Sequence, residues 1–351
     1  MPSVANVGGS ITSAVALTLL AWAVRFIRSA HNKRVGAARR PPEVAQTNTT
    51  HSRFYTCLSP ASIQLLVETN PFPHCIFDVC PDRPAAPEKL PPCLSAAVRL
   101  PAKQVQAVLG GGMTAWMSHS SASQHPMPSP HHFIVFISGN EAEMEEAANA
   151  AAACAFEHVA VLQGSLSHFD EAVNAQGHLR YIHRDALAIL LQRQNTSGST
   201  FRLLDVRRSD ERMLFGSIEG SCHLPAHQLP AALQWPPSSF EAAYHFPKPT
   251  LQDLIILQSR THKRAAWAAQ AAIDAGYKHC IVYRQGTYGW RLHPSVKAYK
   301  SYELGHAPPE PDVQDPDSIN HSTAQAELLQ LYSHPQPHGE PSSDVADDLR
   351  A

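Results

Sequence analysis

The chain has 351 residues, 44% of them apolar and only 17% charged, which excludes a wholly disordered polymer and allows two domains with full-sized cores. Lys and Arg total 28 against 30 Asp and Glu, a net charge of −2, so no nucleic-acid partner is expected. Seven cysteines, an odd number with no Cys-x-x-Cys pair, indicate reduced thiols and neither a disulfide framework nor a zinc site. No metal and no cofactor is expected.

From Val7 to Val24 the chain carries 18 uncharged residues, a helix of roughly 27 Å that nearly matches a hydrocarbon core. Phe26 and Ile27 extend it if Arg25 snorkels, and Arg25, Arg28, Lys33, Arg34, Arg39 and Arg40 follow before the first acid, Glu43. This pattern predicts a membrane anchor over residues 7–27 with the remainder facing the cytosol. The mitochondrial outer membrane is favoured over the endoplasmic reticulum. A cleaved mitochondrial presequence is the alternative, since the segment is rich in Arg and Ser and free of acids, although its apolar run covers the whole helix circumference. A polar, basic linker over 28–56 joins it to the body.

The middle of the chain repeats itself. Leu100–Leu109 (LPAKQVQAVL) and Leu224–Leu233 (LPAHQLPAAL) agree at six of ten positions. Upstream of each lies an apolar strand closing on Asp-Val, CIFDV at Asp78 and FRLLDV at Asp205. Downstream come FIVFIS, ending at Ser138, and LIILQS, ending at Ser259, then an Ala-rich helical stretch and a third strand, HVAVL or HCIVY. Phe156 and Tyr277 each fall 18 residues after the serine, which sets the register. Strand, connection, strand, helix, strand predicts an α/β fold of two open parallel sheets with helices on both faces. The domains are placed at 57–170 and 181–302. Between the strands, His119, His125, His131 and His132 fall in a Ser/Pro-rich stretch, 118–132, read as a solvated loop.

The second copy resembles a rhodanese-like domain from Tyr181 to about Tyr302. Asp205-Val-Arg-Arg with Glu211, GSIEGSCHLP (Gly216–Pro225), SRTHKR (Ser259–Arg264) and GTYGW (Gly286–Trp290) are similar to the family's successive motifs. The first copy keeps their order and has lost much of their wording. The resemblance implies a sulfurtransferase fold whose active-site loop begins with a cysteine, because a thiolate accepts a sulfane sulfur that an oxygen nucleophile cannot. Counting back five residues from Arg264 reaches Ser259, and the matched position in the first copy is Ser138, so both copies are expected to lack the nucleophile. Cys222 and Cys280 are expected to be inert, since neither begins a helix.

The second loop carries Arg260, His262, Lys263 and Arg264 with Thr261 between them and is expected to hold an anionic ligand or partner group. The first reads SGNEAEMEE, where Glu141, Glu143, Glu145 and Glu146 would repel one. The expected function is a membrane-anchored, catalytically inactive tandem rhodanese-like protein acting as a binding or assembly module. A sulfurtransferase using an unrecognised cysteine is the alternative. Residues 303–351 carry ten acids and one basic residue, Arg350, among prolines, and are read as a disordered acidic tail in which 324–333 has the pattern of a short amphipathic helix.

Overall fold

The computed structural model describes residues 54–80, 90–175, 177–197, 201–290 and 319–333. The expected anchor over 7–27, the linker up to residue 53 and most of the acidic tail lie outside the described residues. No described helix is long and apolar enough to cross a membrane.

Among the described residues, ten strands form two five-stranded sheets. The first comprises β1 (Thr56–Leu58), β2 (His74–Asp78), β3 (Val98–Arg99), β4 (Phe133–Ile137) and β5 (His158–Leu162), in the order β1-β5-β4-β2-β3. The second comprises β6 (Arg180–Ile182), β7 (Phe201–Asp205), β8 (Cys222–His223), β9 (Leu254–Gln258) and β10 (His279–Tyr283), in the order β6-β10-β9-β7-β8. Every pairing is parallel. Renumbered within each half, the two orders are identical.

The likeness extends to single hydrogen bonds. Val79 N–H donates to Ile137 O at 3.0 Å, and Val206 N–H to Gln258 O at 2.9 Å. Leu100 N–H reaches Asp78 O at 2.9 Å, and Leu224 N–H reaches Asp205 O at 3.1 Å. The Leu-Pro-Ala repeat is therefore the turn that carries each chain off its edge strand. Proline, lacking an N–H, is tolerated where the ladder has ended.

Two features depart from expectation. First, the halves do not keep separate interiors: their described residues fall in one compact unit, and one apolar cluster runs from Phe77 and Phe133 through Trp267 to Leu257 and Val282. The cause is the helix Lys263–Asp274, in which Ala265 to Ala272 are all buried. A helix buried all round has no solvent face. One side of it covers β9 and β10, and the other lies on the helix Pro60–Thr69 of the first half. Alanines allow that close approach, and Asp274 fastens its end by accepting Ser59 N–H at 2.8 Å and the Ser62 hydroxyl at 2.6 Å.

Second, the tail read as disordered is ordered in one part, the stretch whose pattern gives a short amphipathic helix. Residues His321–Ser333 form a helix whose Ala324 and Leu328 enter a second apolar cluster, on the opposite face of the second sheet, with Leu187 and Leu190 of the helix Arg184–Ser197. Glu327 accepts His183 N–H at 2.9 Å, and Arg180 Nη1 donates to Leu331 O at 3.2 Å. Apolar burial outweighs the acidic, proline-broken composition here. The stretch 118–132 is also tied down: His125 O accepts Trp116 Nε1–H at 2.9 Å, and His119 Nδ1 accepts Ala122 N–H at 3.2 Å. The His119 ring thus caps a turn.

Candidate functional site

In open parallel sheets, ligands sit beyond the carboxyl ends of the strands. At that edge of the second sheet, β9 delivers Ser259, which is 1% exposed, and residues 260–262 turn the chain into the helix at Lys263. The Ser259 hydroxyl donates to Thr261 O at 2.6 Å and accepts Ala265 N–H at 3.2 Å. Its carbonyl accepts the N–H and hydroxyl of Thr287 at 2.8 and 3.3 Å, and Arg260 O accepts Tyr288 N–H at 3.0 Å. Gly286 makes this possible, since its φ is +61° and a Cβ there would lie 2.5 Å from Ser259 O.

The charged motif residues form the frame of the loop. Arg264 forks onto Glu211, with Nη2 2.7 Å from Oε1 and Nη1 on Oε2, and Glu211 also accepts Arg208 N–H at 3.2 Å. Asp205 and Arg207, both 0% exposed in their side chains, pair at 2.6 Å. Arg207 further donates to Gly216 O, while Arg212 bridges Asp205 and Ser221. Burial pushes both carboxyls up. The hydrogen bonds and charges of Arg207 and Arg212 on Asp205, and of Arg264 and Arg208 on Glu211, outweigh it and hold both below the usual carboxylate range.

This placement revises the expected anion cradle. Arg264 is committed to Glu211, Arg260 is buried, and Lys263 is the exposed cation of the set. His262 lies edge-on to Tyr181 with ring centroids 6.3 Å apart; burial, then the charges of Arg284 and Lys263, lower its pKa, so the ring is neutral at pH 7. The unused donors of the loop are backbone: among the described residues, the N–H groups of Thr261, His262 and Arg264 have no acceptor. Arg284, stacked at 4.8 Å over Tyr181, adds a cation beside them.

The matching loop of the first half is occupied from within. Ser138 donates its hydroxyl to Glu143 Oε2 at 2.6 Å and accepts Asn140 N–H at 3.2 Å, and Asn140 caps the helix Glu141–Ala153 through Ala142 N–H at 3.0 Å. Cys80 stands where Arg207 stands in the second half, for its N–H reaches Asp78 Oδ1 at 3.3 Å as Arg207 N–H reaches Asp205 Oδ1 at 3.1 Å. The signal for this position was in the sequence, since the repeat sets Asp78-Val79-Cys80 against Asp205-Val206-Arg207.

All seven cysteines are free thiols. Burial pushes Cys75 and Cys280 up to about 12 and raises Cys93, Cys154 and Cys222 as well. Those five thiols are poor nucleophiles at neutral pH. Among the described residues no group of three or more His, Cys, Asp or Glu is placed to hold a metal ion.

Comparison with known proteins matches residues 186–293 to the rhodanese-like domain model. The chain is 33% identical over 88 residues to a rhodanese domain-containing protein of Drosophila melanogaster, covering 25% of this chain and 79% of that one. It is 39% identical over 77 residues to the human thiosulfate:glutathione sulfurtransferase, covering 22% of this chain and 66% of the relative. It is 29% identical over 100 residues to a putative mitochondrial thiosulfate sulfurtransferase of Schizosaccharomyces pombe, covering 28% and 70%.

Proposed function

Because the chain belongs to the rhodanese-like family, we propose that it binds an anionic group, of the sulfur-oxyanion or phosphate class, at the Ser259–Arg264 loop, and that it holds this group without forming a persulfide. The observation that carries the reading is the serine itself: Ser259 directly follows β9, where the resemblance puts the family's cysteine, and its hydroxyl is spent on Thr261 O and Ala265 N–H. The unused N–H groups, Lys263 and Arg284 supply donors and charge for the ligand. On this reading the protein is a tandem pair, in which the first half is a closed relative of the second, and it serves as a binding or assembly module.

A second reading, sulfur transfer itself, is favoured by the relatives whose names are sulfurtransferases. It needs a thiolate that attacks the outer sulfur of thiosulfate, releases sulfite and passes the sulfane sulfur to an acceptor thiol. Cys80, partly exposed at the carboxyl edge of the first sheet, is the cysteine best placed to do so.

One experiment separates the two. Thiosulfate or phosphate at matched ionic strength is expected to raise the melting temperature of the whole chain, and Lys263→Ala with Arg284→Ala to abolish the increase. Thiosulfate-to-cyanide transfer is expected at background. Turnover that disappears in Cys80→Ala would replace the first reading with the second. The whole chain is required because the halves share a core.

We also place the protein at a membrane through residues 7–27, in line with the run of basic residues behind them, and favour mitochondria, the location in the name of the Schizosaccharomyces pombe relative. The full-length protein is expected in the pellet after alkaline carbonate extraction. Release into the supernatant would remove the anchor from the proposal.

A further inference from the structure

The seam between the halves is lined by rings. Trp267 is fully buried and meets Phe72 edge-on at 4.7 Å and Phe133 edge-on at 5.6 Å. Against this nest sit two histidines, one from each half. His158, the first residue of β5, stacks over Phe133 at 6.5 Å, and His227, just after the second Leu-Pro-Ala turn, lies edge-on to Phe72 at 6.1 Å. The two imidazoles face each other edge-on with centroids 4.8 Å apart.

We propose that His158 and His227 form an acid-operated latch: neutral, they close the seam, and protonated, they force the halves apart and unseat the helix that begins at the Ser259–Arg264 loop. Two imidazolium rings at this distance repel, and the aromatic nest gives them no counter-charge. From the first half, the charged and titratable groups facing the pair are Glu157, 3.9 Å from His158 Nε2, and His131, which already holds the same carboxylate oxygen at 3.1 Å. From the second half they are His223 and the arginines Arg208 and Arg264, which lower the His227 pKa although Asp210 and Glu211 pair with them. Glu157 is half exposed and shared, so it screens poorly.

Burial, then the partner ring on His158 and the Arg208 and Arg264 charges on His227, lower both pKa values to about 4. In the opened seam each ring returns toward about 6.5. Groups depressed in the closed form contribute stability that is complete above pH 6.5 and is lost as pH falls toward 4. With these values the closing equilibrium weakens about a hundredfold by pH 5.5 and several thousandfold by pH 4.5. The latch does not rest on the function assigned to the loop.

Hydrogen exchange read by mass spectrometry on the full chain between pH 7.5 and 4.5, corrected for the intrinsic pH dependence of exchange, tests it. Protection is expected to fall first, and reversibly, in Lys263–Asp274 and Pro60–Thr69 while β7 and β9 stay protected. His158→Gln and His227→Gln are each expected to reduce the number of protons taken up in the transition from two to about one. Uniform loss of protection, an absent transition, or a transition unchanged in both variants would overturn the latch. Should one variant fail to fold, the other alone decides, because each removes one proton.

Discussion

Asp205→Ala is expected to cost about 3–5 kcal/mol at pH 7 in urea unfolding of the whole chain, because it strands the Arg207 guanidinium at 0% exposure. Arg212 loses the same carboxylate, 3.2 Å away. Asp205→Leu combined with Arg207→Met should recover most of the loss, since a buried ion pair replaced as a unit leaves no unpaired charge. The penalty should also depend on pH with a definite sign. Asp205 and Glu211 are held below the usual carboxylate range, so what they contribute is present above about pH 4 and vanishes as pH falls through their folded values. A constant difference between Asp205→Ala and the parent down to strong acid would mean that the pair contributes little.

Trp267→Ala is the other large effect, expected at about 3–5 kcal/mol, the cost of emptying a fully buried indole site. Its signature should be global. Trp267 touches Phe72 and Phe133 of the first half while its helix covers β9 and β10 of the second, so one calorimetric transition should move as a whole. Trp267→Phe should cost less than the alanine change, because the indole N–H has no partner among the described residues and its removal forfeits no hydrogen bond. A calorimetric trace that splits into two, with only one half shifted, would contradict the shared core.

The sheets were legible because burial writes them into composition. A parallel strand covered on both faces must be apolar throughout, and FIVFI of β4 is buried at every position. The repeat then placed both sheets without any long-range information. β1 was not legible, being three residues, Thr56–Leu58, that depend for their strand character on pairing with Ala160 to Leu162. The joining of the cores was hidden for a different reason. KRAAWAAQAAID reads as an Ala-rich helix, and only tertiary structure reveals that residues 265–272 are all buried, with the helix Pro60–Thr69 of the first half packed against it. At the site, the spacing put Ser259 and Arg264 on one loop, and in the structure they flank the turn from β9 into the helix Lys263–Asp274. It did not reveal that Arg264 faces a carboxylate 53 residues earlier, since that pairing is decided by where the fold sets the helix Ser209–Phe215, which carries Glu211 in its first turn.

The position of the helix Lys263–Asp274 also sets a timetable for synthesis. The first half emerges from the ribosome with Phe72 and Phe133 awaiting a tryptophan that lies roughly 130–200 residues further along. At translation rates of about 5–20 residues per second, those aromatic surfaces stay uncovered for on the order of 10–40 s. During that interval the nascent chain presents a sticky apolar floor with nothing of its own to lay upon it. Chaperone capture of ribosome-bound chains should therefore peak after β5 has been made and fall once Asp274 has cleared the exit tunnel.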